Sequence, residues 1–114
     1  MRDIKDILSE IRLVPVVVLE KVEYTKPLCA ALLEGGITVI EITLRTEKAL
    51  DCIAEAATNF PEMTVGAGTL LTQSQVTAAM DSGAQFGVSP GMTEALFNAI
   101  HKLEFPFLPG GSSV

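Results

Sequence analysis

Five short apolar runs alternate with stretches of helical periodicity, and this alternation constrains the fold more than any other feature of the chain. The first run, Val14-Pro15-Val16-Val17-Val18-Leu19, is continuously apolar and reads as a strand covered on both faces, as in a parallel sheet. Residues 38–44 form the second run, Met63–Gly68 the third, Gln85–Ser89 the fourth and Phe105–Leu108 the fifth. The segments between them carry helix signals. Ile4, Ile7, Leu8 and Ile11 recur at helical spacing and predict a short amphipathic helix over residues 3–11, capped by Asp3. Thr25 is placed to cap the next helix, with Pro27 in its first turn, Leu28, Leu32 and Leu33 as its stripe and Gly35-Gly36 at its end. Thr46 is placed to cap a third helix reaching about residue 58, with Leu50, Ile53, Ala54 and Ala57 facing in and Asn59 and Pro61 stopping it. Thr72 and Gln75 form a capping box at the head of a helix that Gly83 closes. Thr93 caps the last helix, which carries Leu96, Phe97 and Ile100, and Pro109–Ser113 reads as a loop.

Each strand–helix unit takes roughly twenty residues, close to the (β/α) repeat. Such alternation requires parallel strands and right-handed crossovers. Two architectures satisfy it: an open doubly wound sheet, or the opening part of a (β/α)8 barrel. Periodicity does not choose between them. The 114 residues suffice for one compact domain, and a chain with 48% hydrophobic and 19% charged residues should fold.

The net charge of −6 argues against a nucleic-acid partner, which needs a basic footprint. It leaves room for an anionic small substrate held by a local arginine. No apolar run reaches the ~18 residues of a membrane span, and Met1-Arg2-Asp3-Ile4 lacks a signal-peptide core. Cys29 and Cys52 stand alone, without CxxC or metal-ligand spacing, and read as reduced core residues of a cytoplasmic protein. Gly66-x-Gly68 lacks the third glycine of a dinucleotide fingerprint, and the sequence calls for no cofactor and no metal.

In both architectures ligands sit at the C-terminal ends of the strands. Those ends carry Glu20 and Lys21, Arg45 and Thr46, Gly68 and Thr69, Ser89 and Pro90, and Pro109 and Gly110. The second run is the most informative. Strand alternation puts Ile40, Ile42 and Leu44 on one face and Val39, Glu41, Thr43 and Arg45 on the other. A carboxylate, a hydroxyl and a guanidinium in an apolar neighbourhood point to a site, although an edge strand with a wet face would show the same pattern. Arg45 suits a carboxylate or phosphate because its planar fork bonds both oxygens, unless it merely pairs with Glu47. Thr69 follows two glycines that let a ligand approach the backbone; its alternative is a plain helix-entry residue. Glu41 lies about 13 Å deeper than Arg45 at strand rise, where a carboxyl should hold its proton more tightly and serve proton transfer. A structural glutamate held by hydrogen bonds is the other reading. No aspartate ends a strand run, which excludes a phosphoacceptor receiver domain. His101 sits near a helix C-terminus, where the helix dipole accounts for it, and no lysine falls within a strand run.

Val14-Pro15-Val16-Val17, Gly35-Gly36, Ile40-Glu41-Ile42-Thr43-Leu44-Arg45-Thr46, Val65-Gly66-Ala67-Gly68-Thr69, Gly83-Ala84-Gln85-Phe86, Ser89-Pro90-Gly91 and Pro109-Gly110 occur in the order and spacing of one family. The chain resembles 2-keto-3-deoxy-6-phosphogluconate (KDPG) and 4-hydroxy-2-oxoglutarate (KHG) aldolases over nearly its whole length. The resemblance implies a class I aldolase on a (β/α)8 TIM barrel, usually a cytoplasmic trimer. It would release pyruvate and either glyceraldehyde 3-phosphate or glyoxylate through a lysine Schiff base. It further implies that Glu41 is the acid/base, that Arg45 and Thr69 hold the pyruvate carboxylate, and that Pro90 lines the pyruvate pocket.

The chain also departs from the family pattern. The Schiff-base lysine of the family lies on a sixth strand, and its phosphate-binding glycines and serines come later still. This chain is expected to cover about the first five strands, as one partial barrel domain over residues 1–114. Its 109–113 loop departs as well, with Gly111 and Ser113 where the family has a bulkier residue and a threonine. A (β/α)8 domain takes at least about 200 residues, so the isolated chain is expected to form no Schiff base. The runner-up is an open α/β module that binds a carboxylate through Arg45 and Thr69 without catalysis.

Overall fold

A computed structural model describes residues 14–89, 91 and 93–109. The helix expected at 3–11, Pro90 and the loop from Gly110 onward lie outside the described residues. Among the described residues five strands and four helices alternate: β1 (Val16–Val17), α1 (Thr25–Glu34), β2 (Val39–Thr43), α2 (Ala49–Asn59), β3 (Thr64–Gly68), α3 (Gln73–Ser82), β4 (Phe86–Ser89), α4 (Glu94–Leu103) and β5 (Phe107–Pro109). A 3-10 turn over Val22–Tyr24 leads into α1.

All strand pairs are parallel, and the sheet order is β1-β2-β3-β4-β5. That order resolves the ambiguity left by periodicity. A doubly wound sheet reverses its strand order and carries helices on both faces. Here every crossover steps the same way, and a constant right-handed step places every helix on one face. Each helix packs on the next, α1 on α2, α2 on α3 and α3 on α4.

The two faces have separate cores. Under the helices, Leu19, Cys29, Ile40, Ile42, Cys52, Ile53, Val65, Ala67, Leu70, Val76 and Leu96 belong to one buried cluster. On the opposite face Val39 and Phe86 form a small second cluster, with Val14 and Val88 against it. Alternation along β2 produces this split, with Ile40 and Ile42 under the helices and Val39, Glu41 and Thr43 on the other side. A parallel sheet in sequential order, with its helices on one face and a few apolar side chains on the other, is built like the wall of a barrel, and the helix-free face corresponds to its lumen.

β1 corrects one expectation. Val16 is 60% and Val18 48% exposed, so the strand is covered on its helix side only. Val16 pairs with Glu41 in register and therefore belongs to the lumen face, which no helix covers. The strand is an edge of the sheet among the described residues.

The caps agree with expectation at α3, where Thr72 and Gln75 form the reciprocal box and Gly83 closes the helix at φ 109°. They agree again at α4, where the Thr93 hydroxyl accepts from Leu96 N at 3.1 Å. They differ at the other two helices. Thr25 is already helical and buried inside the first turn, behind the 3-10 turn, and caps nothing. Thr46 donates instead to the Leu19 carbonyl at 2.7 Å, and the N-cap of α2 is Lys48. The helix thus starts two residues later than expected, and its buried positions are Ala49, Cys52, Ile53 and Ala56, with Leu50, Ala54 and Ala57 only partly covered. On α4, Leu96 and Ala99 are buried, and Phe97 is exposed beside the His101 ring, 4.2 Å between centroids. Cys29 and Cys52 are both buried free thiols, as expected.

Candidate functional site

The lumen face is built from rows of side chains that the parallel register lays across the sheet. One row runs Val16, Glu41, Gly66, Phe86 from β1 to β4. Two glycines on β3 shape what sits above them. A Cβ at Gly66 would collide with the Phe86 ring, whose Cε1 would be 2.5 Å away. The ring therefore lies flat on the Gly66 backbone and closes the lumen floor. Gly68, two residues on and on the same face, lies beneath the Glu41 carboxyl. A Cβ there would stand 3.0 Å from Glu41 Cδ and 3.2 Å from Cγ, and would overlap Oε2. The Glu41 side chain leaves β2 and crosses the sheet to rest above β3.

Glu41 is partly buried, and no hydrogen bond or ion pair engages its carboxyl among the described residues. Loss of water without a compensating cation pushes its pKa above the usual carboxylate range. That agrees with the expectation of a deep, proton-holding glutamate, and the reading of a glutamate fixed by hydrogen bonds finds no partner there. Thr43 completes the lumen side of β2, but its hydroxyl donates to the Val17 carbonyl at 3.4 Å. With Thr46 on Leu19, it laces the end of β1 to β2.

Arg45 is a correction of detail. β2 ends at Thr43, so Leu44 and Arg45 belong to the following turn, and strand alternation does not reach the arginine. Its side chain is exposed and makes no ion pair among the described residues, with Glu47 or with Glu41. It stands at the strand tip as a free guanidinium. Thr69 follows β3 directly, partly buried, with φ at 61°. A β-branched residue in the left-handed region costs on the order of 1–3 kcal/mol and persists where its surroundings hold it there. The next residue supplies the hold: Leu70 N donates to the Val88 carbonyl at 3.0 Å, and Leu70 is fully buried. Ser89 at the tip of β4 is buried, donates to the Gly91 carbonyl at 2.6 Å and accepts from Gly91 N. It ties the end of β4 to Gly91, a role that sequence reading missed. Glu20 and Lys21 at the β1 tip are exposed, with the Lys21 ammonium 5.8 Å from the Tyr24 ring.

The strain at Thr69 is open to test. Thr69→Gly and Thr69→Val both remove the hydroxyl, but only glycine relaxes the backbone. Urea denaturation should find Thr69→Gly more stable than Thr69→Val by about 1–2 kcal/mol. Equal midpoints would mean that φ there carries no cost.

Comparison with known proteins places this wall in a family. The family model "KDPG and KHG aldolase" matches residues 4–114. The chain belongs to the KDPG and KHG aldolase family. It is 44% identical over 110 residues to the KHG/KDPG aldolase of Escherichia coli (strain K12), covering 96% of this chain and 52% of that protein. It is 44% identical over 110 residues to the 2-dehydro-3-deoxy-phosphogluconate aldolase of Pseudoalteromonas atlantica, covering 96% and 51%. Among solved structures, the 2-keto-3-deoxy-6-phospho-gluconate aldolase of Zymomonas mobilis superposes with a TM-score of 0.89 at 37% identity, over 95% of this chain and 52% of that one. KDPG aldolase from Legionella pneumophila, crystallised with pyruvate as a covalent carbinolamine, superposes equally well, with a TM-score of 0.89 at 36% identity over the same shares. The chain thus spans about half the length of the curated relatives it matches, and its five strands are part of a TIM barrel.

Proposed function

We propose that this chain forms the pyruvate-handling wall of a class I aldolase. The reaction is cleavage of 2-keto-3-deoxy-6-phosphogluconate to pyruvate and glyceraldehyde 3-phosphate, or of 4-hydroxy-2-oxoglutarate to pyruvate and glyoxylate. The observation that carries the proposal is the Glu41 carboxyl, partly buried on the lumen face, unpartnered and biased toward its protonated form. A carboxyl whose pKa is raised by burial holds a proton more readily, and aldol cleavage requires one to be taken from the hydroxyl as the C–C bond breaks and one to be returned to the carbon next to the ketone. Arg45 and Thr69 stand at the tips of neighbouring strands, β2 and β3, and take the pyruvate carboxylate, the arginine by its fork and the threonine by its hydroxyl. Pro90, outside the described residues, lines the pocket. No cofactor or metal enters this scheme.

The electron sink is the Schiff base that a lysine amine forms with the ketone, with loss of water, and this chain's described lysines do not supply that amine. Lys21, Lys26, Lys48 and Lys102 all lie outside the strands and are exposed, so none of them stands on the lumen face where the ketone would rest. In our proposal the amine comes from barrel strands beyond the five seen here. Residues 1–114 form one partial barrel domain, and the complete enzyme is a cytoplasmic trimer, as the resemblance implies. Among the described residues no helix is long and apolar enough to cross a membrane.

Pyruvate and borohydride test the assignment directly. Incubated together with the 114-residue chain, they should leave its mass unchanged, while pyruvate alone shifts the NMR resonances of Arg45 and Thr69. A trapped covalent adduct would overturn the placement of the amine outside this chain. Silence at both residues would overturn the carboxylate site.

A further inference from the structure

We propose that Gly68 is a positioning residue for Glu41, kept free of a side chain so that the carboxyl can lie across the sheet in the lumen. The two lumen-facing glycines of β3 separate packing from positioning. Over Gly66 the space is filled by the Phe86 ring, a rigid and fully buried apolar group. Over Gly68 the three nearest heavy atoms that a Cβ would meet are all Glu41's own: Oε2, Cδ and Cγ. No backbone atom and no apolar side chain comes as near. Glycine weakens a strand interior, so one at such a position marks a close approach, and the group approaching is the carboxyl.

Gly68 acts on chemistry through where it lets the carboxyl sit. With the slot open, Glu41 lies against the β3 backbone and loses water. With the slot filled by a methyl group, the end of the side chain swings toward the open lumen and regains it. Among the described residues no charged group on the facing strands offsets that change. β1 presents Val16 and Val18, β3 presents Thr64 and Gly66, and β4 presents Phe86 and Val88, while Glu20, Lys21, Arg45 and Glu47 at the tips are exposed.

The inference rests on reading Glu41 as the proton-transfer group, and its test is separate from the test of that reading. The carboxyl carbon of Glu41 is followed by carbon-13 NMR as pH varies, in the unaltered chain and in Gly68→Ala. The expected result is a downward shift of the Glu41 midpoint in Gly68→Ala with the amide spectrum of the fold retained. An unchanged midpoint in a folded variant overturns the proposal. Unfolding curves for Gly68→Ala in the unaltered and Glu41→Ala backgrounds provide the second measurement, which stands even if the single variant folds poorly. Alanine at 68 should be tolerated better once the carboxyl is gone, and an equal loss in both backgrounds overturns the proposal. A midpoint that shifts in a chain that ignores pyruvate would leave the positioning role standing and remove the aldolase reading instead.

Discussion

Phe86→Ala is expected to cost the fold about 3–5 kcal/mol, enough to unfold much of a chain this size at physiological temperature. The ring is fully buried, yet it lies outside the large core under the helices. It is the floor of the lumen, packed with Val39, Val14 and Val88 and seated on the bare backbone of Gly66. Removing it leaves a cavity that those three valines are too short to fill. The same geometry predicts the complementary change. Gly66→Ala should cost about 1–3 kcal/mol, because its methyl group would occupy the plane of the ring and neither strand can retreat without breaking the ladder. The two losses should not add. In the double variant the methyl group enters the space the ring vacated, and the sum of the single costs should exceed the measured cost by about 1 kcal/mol or more. Urea unfolding of the four proteins checks this, and strict additivity would mean that Phe86 and Gly66 do not share that space.

This floor was not legible in the sequence, whereas most of the fold was. Period and punctuation suffice to place five strands and four helices, because each apolar run and each cap is a local signal. Thr72 with Gln75, Gly83, and Thr93 are cases in which the side chain that signals a boundary also makes the bond that sets it. Local reading failed where a side chain had a better partner elsewhere. The Thr46 hydroxyl reaches the Leu19 carbonyl, 27 residues away in sequence, and abandons the helix it was expected to cap. It failed for Val16 and Val18, because an apolar run does not say how many of its neighbours are present. The candidate site divides along the same line. Glu41 follows from alternation within one strand, and the helix-free face confirms the logic. Arg45 was assigned to the same face by extending that alternation past the true strand end at Thr43. Gly66, Gly68 and Phe86 became meaningful only through register, which pairs residues of different strands and leaves no trace within one segment. The choice between an open sheet and a barrel wall also needed strand order, which no periodicity encodes.

Glu41→Gln is expected to make the chain more stable at neutral pH while removing the group we propose as its proton carrier. Burial raises the pKa of Glu41 in the folded chain above its unfolded value of about 4.3. Between those two values the native state binds more proton than the unfolded state, so stability falls as pH rises. Below the unfolded pKa both states are protonated and the carboxyl costs nothing. Above the folded pKa the full penalty of holding an unpaired anion in the lumen applies. Glutamine matches the shape of the protonated form and never ionises, so the stability curves of the two proteins should converge near pH 4 and separate progressively toward pH 7–8, the glutamine variant lying higher. Thermal unfolding across that range measures the separation. If the glutamine variant is the less stable one at pH 7, the carboxylate is held by a favourable partner rather than strained by burial, and its assignment as the proton carrier fails with it. In a complete barrel carrying the proposed activity, the same substitution should slow the aldol reaction by about 10²–10⁴-fold, the usual contribution of a positioned acid/base. Loss of turnover accompanied by a gain in stability distinguishes a functional carboxyl from a structural one, because a glutamate retained for the fold would lose both together.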